Sequence, residues 1–292
     1  MAKVKTNEAH LIELGVMGAI QTPASNGYIV TEGGKAVILP QIGGICYNVF
    51  PGDPVFGWAG EAIEPGVALY CEERADNLSL VSLSCALNEV TVVSGDAKGA
   101  KGYVIGKHNM PELASNHVIV HFPGEVREQL NIGDRMLIRS KGAGLKVEGT
   151  DLCFHSASPK LFNALDPEMD EEGFVTVNAR KVTPGEMMGF IMGAASYIGD
   201  FDLMTDDKGL LEENDLLDLR LGDIVFIRDC DCSYYKNRQQ GSVTVGVVST
   251  TNNPVVGRGV GIMPLFASSL GRIRPRLTEK ANLSVIMEEA AK

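Results

Sequence analysis

Two pairs of aspartates are the residues of this sequence whose spacing most directly suggests chemistry. Asp200 and Asp202 follow a glycine-rich segment, and Asp229 and Asp231 end an apolar run. In an extended chain, residues two apart point to the same side, so each pair would present two carboxylates together. Hard divalent cations such as Mg²⁺, Mn²⁺ or Ca²⁺ prefer carboxylate oxygens. We therefore predict a divalent metal cation as cofactor, with Asp200, Asp202, Asp229 and Asp231 as its ligands.

The alternative for these aspartates is a solvated acidic surface with turn-forming side chains. Residues 200–231 contain eleven Asp or Glu against three Lys or Arg, which suits that alternative. Cys230 and Cys232 alternate with the second aspartate pair and share the opposite face of a regular strand. They could act together as soft ligands, but two thiols do not complete a zinc site.

The histidines offer a weaker signal. His117 and His121 would share one face of a predicted strand but lie about 13 Å apart, too far to bind one ion. His108 follows a predicted hairpin and could approach either of them. We interpret these residues as surface or hydrogen-bonded histidines. The sequence assigns no catalytic residue, because it contains neither a Gly-x-Ser-x-Gly elbow nor a phosphate-binding loop.

The elements that must position these residues are mainly β. The segment 90–107, VTVVSGDAKGAKGYVIGK, has the pattern of a strand, a Gly-rich turn and a returning strand. Segments 132–139 and 221–228 share one order: apolar, Gly, Asp, variable, three apolar, Arg. This order predicts a turn that opens onto a strand, with the Asp accepting hydrogen bonds from N–H groups just beyond it.

The hairpin of segment 90–107 resembles the KOW motif, which marks small SH3-like β-barrels. The predicted fold class is therefore mainly β, with an SH3-like barrel segment, further β-rich regions and few short helices. We predict an N-terminal β-rich region over residues 1–85, the barrel segment over 86–150 and a C-terminal β-rich domain over 151–292.

Charge and targeting signals narrow the function classes. The net charge is −11, whereas domains that bind nucleic acids usually carry a basic face. We therefore expect no nucleic-acid partner, despite the KOW-like hairpin. The six cysteines form no CxxC pair, which is typical of a reduced compartment. No signal peptide and no apolar run long enough for a membrane span is present, which favours a cytoplasmic protein without a membrane partner.

Most of the chain resembles a prokaryotic family known only as a domain of unknown function. The resemblance is carried by SGDAKGAKGYVIGKH, HVIVHFP, NIGDRMLIR, GDFDLMT, DLRLGDIVFIRDCDCSY and GSVTVGVV. It implies an N-terminal β region paired with a separate C-terminal domain, and it implies no established activity.

The C-terminal half is also similar to the acetamidase/formamidase family, which hydrolyses small amides. GDFDLMT resembles that family's Gly-rich segment with a metal-side Asp, and residues 221–248 resemble its strand–acidic loop–strand block. The chain departs from the family at 231–234, where the amidases carry a Gly/His/Ala loop, and it lacks their His-rich elements.

These observations lead to competing functions. The first is a metal-assisted enzyme or binder of a small polar molecule, such as an amidase-like hydrolase. The second is a non-catalytic barrel protein that assembles as a homo-oligomer or with a protein partner. RNA binding through the hairpin is the third, and the charge balance opposes it.

Overall fold

The structure is a computed structural model that describes residues 2–25, 27–110, 115–189, 192–205 and 207–290. The predicted mainly β fold with a barrel is confirmed. In chain order the strands are β1 (Ala2–Lys3), β2 (Leu14–Ile20), β3 (Ile29–Val30), β4 (Ala36–Val37), β5 (Val67–Tyr70), β6 (Glu89–Val92), β7 (Lys101–Met110), β8 (Ser115–His121), β9 (Arg135–Ser140), β10 (Cys153–Phe154), β11 (Glu168–Met169), β12 (Val175–Ala179), β13 (Lys181–Pro184), β14 (Met188–Gly189), β15 (Phe201–Leu203), β16 (Ile224–Asp231), β17 (Asn237–Val248), β18 (Val260–Ser268) and β19 (Ile273–Leu277).

Short helices connect some of these strands. They are α1 (Arg74–Leu83), α2 (Gly124–Arg127), α3 (Pro159–Ala164), α4 (Lys208–Glu213) and α5 (Leu283–Ala290), with 3-10 turns at Glu8–His10 and Gly185–Met187. None of the helices in the described ranges is long and apolar enough to cross a membrane.

The first sheet is a closed barrel with the strand order β2-β5-β8-β7-β6-β9. Its β6–β7 hairpin is the one predicted from the KOW-like segment. Its interior is filled by apolar residues such as Val90, Val104, Val120 and Ile138, all fully buried. Strands β2 and β5 lie before residue 86, so the barrel extends beyond the segment that the hairpin indicated.

The second half of the chain is built around a sheet with the order β13-β16-β17-β18-β15-β14, to which β10 adds by pairing with β18. Alternate residues of β16 face opposite sides: Ile224 and Phe226 enter one core, and Val225 and Ile227 enter another. Both faces of this sheet are therefore covered. A smaller sheet, β1-β11-β12-β19, packs against the first of these cores through β12.

The repeated Gly-Asp pattern forms the same turn in both copies. Asp134 accepts a hydrogen bond from the N–H of Asn131, and Asp223 accepts one from the N–H of Arg220, each at 2.8 Å. The preceding glycines have φ values of 89° and 82°, which glycine adopts without strain. The predicted turn is thus confirmed. The predicted donors were wrong, because the N–H group that bonds to each Asp precedes it in the chain. Each Asp holds the residue three positions before it, because the chain reverses there before entering the strand.

Candidate functional site

A buried carboxylate that bridges two histidines lies where the barrel meets the large sheet. Glu64 Oε1 accepts hydrogen bonds from Nδ1 of both His108 and His117, each at 2.9 Å. Nε2 of His117 lies 2.7 Å from Oε1 of Gln21, and Glu64 Oε2 also accepts from the N–H of Gly43 at 2.8 Å. Glu64, His108 and His117 are all buried. A buried charge that is out of contact with water is costly unless protein groups form hydrogen bonds to it, so Glu64 depends on these partners.

The barrel strands bring the two histidines together. β7 and β8 are antiparallel neighbours, and His108 and His117 are directly opposite in their register. Side chains opposite each other on one face of such a pair lie about 5 Å apart, close enough to share one carboxylate.

Glu64 reaches the histidines from the loop that leads into β5. Gly66 in that loop has a φ of 136°, and a Cβ atom there would lie 2.3 Å from the carbonyl oxygen of Val120. Only glycine allows the loop to pass so close to β8. The same close passage holds Glu64 over the strand pair that carries the histidines.

The surroundings of Glu64 and His108 shift the pKa values of both groups. Burial alone would raise the pKa of Glu64, but the two imidazoles outweigh it and hold this pKa far below its usual range. Burial likewise lowers the pKa of His108. The negative charges nearby outweigh burial and raise the pKa of His108 to about 9; they belong to Asp200, Glu64 and Asp202. At neutral pH, Glu64 is therefore an anion and His108 a cation.

The first predicted aspartate pair lies beside His108. Asp200 Oδ1 accepts from the N–H of Asn109 at 3.1 Å, and Asp200 Oδ2 accepts from the hydroxyl of Ser249 at 3.1 Å. Asp202 accepts from the N–H of Gly259 at 3.2 Å. Burial, with the charge of Asp200, raises the pKa of Asp202 to about 7. We call Glu64, His108, His117, Asp200 and Asp202 the Glu64 cluster.

Two buried lysines adjoin the Glu64 cluster. Lys236 Nζ donates to the carbonyl oxygen of Asp200 at 2.6 Å. Lys107 Nζ donates to the hydroxyl of Ser156 at 2.9 Å and to the carbonyl oxygen of Tyr197 at 3.3 Å. Burial lowers the pKa of both lysines, to about 8 for Lys107. Lys107 therefore connects the loop over 197–200 to the barrel, and Lys236 connects it to the turn before β17.

Two cavities lie near the Glu64 cluster. One, of about 630 Å³, is lined by residues that include Tyr70, Asn109, Asn116 and Tyr197. Asn109 and Asn116 are the chain neighbours of His108 and His117, and the ring of Tyr70 meets that of His117 edge-on, 6.0 Å between centroids. The second cavity, of about 330 Å³, has Glu64 and Gln41 in its wall. Both are large enough for a small molecule.

The second predicted aspartate pair has its own partners elsewhere. Asp229 Oδ1 accepts from the N–H of Gly241 at 2.7 Å, and Asp231 Oδ1 accepts from the N–H and hydroxyl of Ser233 at 2.9 and 2.6 Å. Asp229 has a φ of 53° and lies where the register of β16 and β17 shifts. The segment is therefore not a regular strand at this point, contrary to the geometry from which the shared face of this pair was predicted.

The predicted metal ligands thus lie as two separate pairs. Among the residues that the structure describes, no group of three or more His, Cys, Asp or Glu side chains is arranged to hold a metal ion. A divalent cation at these aspartates stays a prediction.

The structure confirms the histidine interpretation from the sequence, in its hydrogen-bonded form. His108 does approach His117, and both are hydrogen-bonded as expected, although neither is on the surface. His121 lies apart, where Arg127 donates to its Nδ1 at 3.1 Å, and burial lowers its pKa to about 4. Sequence reasoning missed Glu64, because the Glu-Pro-Gly sequence in which it lies is typical of an ordinary turn.

Comparison with known proteins identifies the family. Residues 28–163 match the model of the N-terminal domain of unknown function DUF4438, and residues 165–287 match its C-terminal domain. Together these matches cover most of the chain, which therefore belongs to the DUF4438 family. The resemblance to a family of unknown function predicted from the sequence is confirmed. No protein with a curated description matches the chain.

A solved relative has the same fold. The structure titled "Crystal structure of TM1086" superposes with a TM-score of 0.90 at 37% sequence identity. The similarity covers 97% of this chain and 99% of that one, so the barrel and the large sheet are both shared.

Proposed function

We propose that this member of the DUF4438 family binds a small polar molecule beside the Glu64 cluster and transfers a proton to or from it. The observation that carries the proposal is the buried Glu64 carboxylate shared by His108 and His117, with Glu64 in the wall of one cavity and the chain neighbours of both histidines in the wall of another. Buried ionisable groups with displaced pKa values are costly for a fold, and they are concentrated at functional sites.

The cluster contains both partners that acid–base chemistry needs. His108, a cation up to a pH of about 9, can donate a proton. Asp202, with a pKa of about 7, can accept one near neutral pH. Both keep a small exposed fraction, 6% and 8%, whereas His117 and Asp200 have 1% each. The two groups suited to proton transfer are therefore the less enclosed ones.

Binding is tested first, with the larger cavity as the target. Ligand-observed NMR with a panel of small amides, amines and carboxylic acids should find compounds that bind the wild type. Asn116→Ala should weaken this binding at least tenfold, because Asn116 lines the cavity. Asn237→Ala, the same change in a different cavity, should leave it unaltered. A panel with no binder, or equal losses in both variants, would contradict the proposal.

The chemistry has a separate assay. The resemblance to small-amide hydrolases makes formamide and acetamide the first substrates, with ammonia release as the readout. Activity should rise through a pH of about 7 as Asp202 loses its proton, and fall near 9 as His108 does. Asp202→Asn should abolish the activity, and Asp229→Asn should retain it. If Asp202→Asn remains fully active, proton transfer by this cluster is refuted.

The donor set around Asp200 and Asp202 fits a metal cation poorly. Both oxygens of Asp200 already accept hydrogen bonds, and the cationic His108 lies beside the pair. The proposed proton transfer therefore uses no metal. Elemental analysis of protein purified without chelator tests the cation predicted from the sequence. About one cation per chain, lost in Asp202→Asn, would restore the metal-assisted mechanism.

A second candidate function, assembly with another copy of this chain, is favoured by the β3–β4 hairpin. Val30 lies opposite Ala36 in the register, and alternation places Tyr28 and Ile38 on the same face. Tyr28, Val30 and Ile38 are 69%, 53% and 76% exposed, and Val256 beside the hairpin is 67% exposed. Together they present on the order of 400 Å² of apolar surface, about half of what each partner of a standard interface buries.

The occupant that suits this face is a second copy related by a two-fold axis. In the described part of the chain, β3 and β4 form a two-stranded sheet of their own. Next to β3, Thr31 is already bridged to Val255, so the edge available for pairing is the outer edge of β4. A two-stranded sheet is marginal in water, and an identical hairpin could extend it symmetrically. Sedimentation analysis should show a dimer that Ile38→Asp converts to monomer and Leu270→Asp, at another exposed site, does not. A monomeric wild type rules this assembly out.

A further inference from the structure

The end of β16 brings two buried thiols into contact. The register of β16 against β17 shifts between Arg228 and Cys230, so that Cys230 turns into the apolar core of the large sheet. Cys232, two residues later, enters the same core. Both side chains have no exposure, and their Sγ atoms are 3.9 Å apart. The shared face predicted for the two cysteines is thus confirmed, and the acid–base cluster does not use them.

We propose that Cys230 and Cys232 form a redox-active dithiol that a peroxide converts reversibly into a disulfide. One thiol loses its proton and its thiolate attacks a peroxide oxygen; the O–O bond breaks, a sulfenic acid forms, and the hydroxide that leaves takes up the lost proton as water. The other thiol then attacks the sulfenic sulfur, forms the S–S bond and releases a second water. The two thiols lose two electrons and two protons, and the peroxide gains them.

The geometry favours a labile bond over a permanent one. Residues two apart in a strand have Cα atoms about 6.7 Å apart, at the upper limit of the range that disulfides span. The sulfurs must also approach from 3.9 Å to about 2.05 Å, so this short segment has to contract. Strained disulfides are more easily reduced than relaxed ones, and such bonds are typically regulatory.

The contraction would reach the Glu64 cluster through the turn that follows Cys232. Asp231 fixes that turn by accepting two hydrogen bonds from Ser233, and Lys236 at its end holds the carbonyl oxygen of Asp200 at 2.6 Å. Drawing Cys232 toward Cys230 therefore pulls on the lysine that holds Asp200. This coupling rests on the proposed function, whereas formation of the disulfide does not.

The direct test is mass spectrometry of the folded wild-type chain. Reduced protein is exposed to a small molar excess of hydrogen peroxide, quenched in acid, denatured and alkylated. The peptide that contains both cysteines should lose two hydrogen atoms, resist alkylation and recover both thiols after dithiothreitol. Cys85, a single cysteine that is equally buried, should be alkylated throughout and serves as the internal control.

Two results would overturn the proposal. One is full alkylation of Cys230 and Cys232 after peroxide treatment. The other is direct passage to sulfinic acid at either residue. Cys232→Ala should leave Cys230 unable to form the bond. The coupling between the cysteine pair and the Glu64 cluster is measured separately, with whichever panel compound binds the wild type. The affinity for that compound should differ at least threefold between the reduced and the oxidised protein. If the disulfide forms but the affinity does not change, the coupling is refuted and the redox-active dithiol is not.

Discussion

The protonation of His108 should make the stability of the protein depend on pH in an unusual direction. Its pKa is about 9 in the folded chain and 6.5 in the unfolded chain, so the folded state binds the proton more tightly. The stabilisation is complete below a pH of about 6.5 and is lost as the pH rises through 9. A pKa difference of this size corresponds to about 3 kcal/mol, and His108 is too buried for solvent to screen it much.

The change to make is His108→Asn, because the Asn amide can still donate to Glu64 from the position of Nδ1 but does not titrate. Urea unfolding at a series of pH values from 6 to 9.5 gives the free energy of unfolding for each protein. The wild type should lose about 3 kcal/mol more than His108→Asn across this range. The comparison should be repeated in an Asp202→Asn background, because Asp202 has a pKa of about 7 and titrates in the same region.

His121→Asn is the matched control. The pKa of His121 is about 4 in the folded chain, so its contribution to stability grows as the pH rises from 4 to 6.5 and is constant above. Its removal should leave the slope between 6.5 and 9 unchanged. Equal slopes with and without His108, in both backgrounds, would refute the charge assignment of the whole Glu64 cluster.

Two further substitutions test how the fold holds its buried charges and a third tests a close backbone contact, each measured by urea unfolding. Glu64→Gln removes the counter-charge of a buried cation and should cost about 3–5 kcal/mol, whereas Glu61→Gln, a neighbour held by amide groups, should cost about 1 kcal/mol. Asp223→Asn breaks a fully buried bond to Arg180 and should also cost about 3–5 kcal/mol, but Asp218→Asn, on the exposed side of the same arginine, less than about 1 kcal/mol. Gly259→Ala would place a Cβ 1.8 Å from a carbonyl oxygen of the adjacent β15 and should prevent stable folding; a stable variant would contradict that packing.

Local patterns predicted the fold well because their causes are local. The hairpin over β6 and β7 follows from a Gly-rich turn between β-branched runs, and both Gly-Asp turns follow from one glycine conformation and one short-range hydrogen bond. The extent of the barrel did not follow, because β2 closes it by pairing with β9 more than a hundred residues later. Such a pairing is decided by packing between distant segments, and no short window of sequence records it.

The candidate site could be predicted only in parts for the same reason. Asp200 and Asp202 stood out because two acids two residues apart share one side of an extended segment. Glu64 gave no signal, since Glu-Pro-Gly is an ordinary surface turn until the close passage of Gly66 buries it against β8. The second pair was misleading, because its spacing resembled the first while the left-handed backbone of Asp229 placed it in a bulge.

Asp200 is where the two proposals can be told apart. Its carboxylate accepts from Asn109 of the barrel and from Ser249 of the large sheet, while its carbonyl oxygen accepts from Lys236. A movement at the cysteine pair can therefore reach the barrel through this one residue. Lys236→Met would cut that connection but leave both thiols in place. The variant should still form the disulfide, and its affinity for the ligand should be the same in the reduced and the oxidised state. If the affinity still changes on oxidation, the coupling does not pass through Lys236.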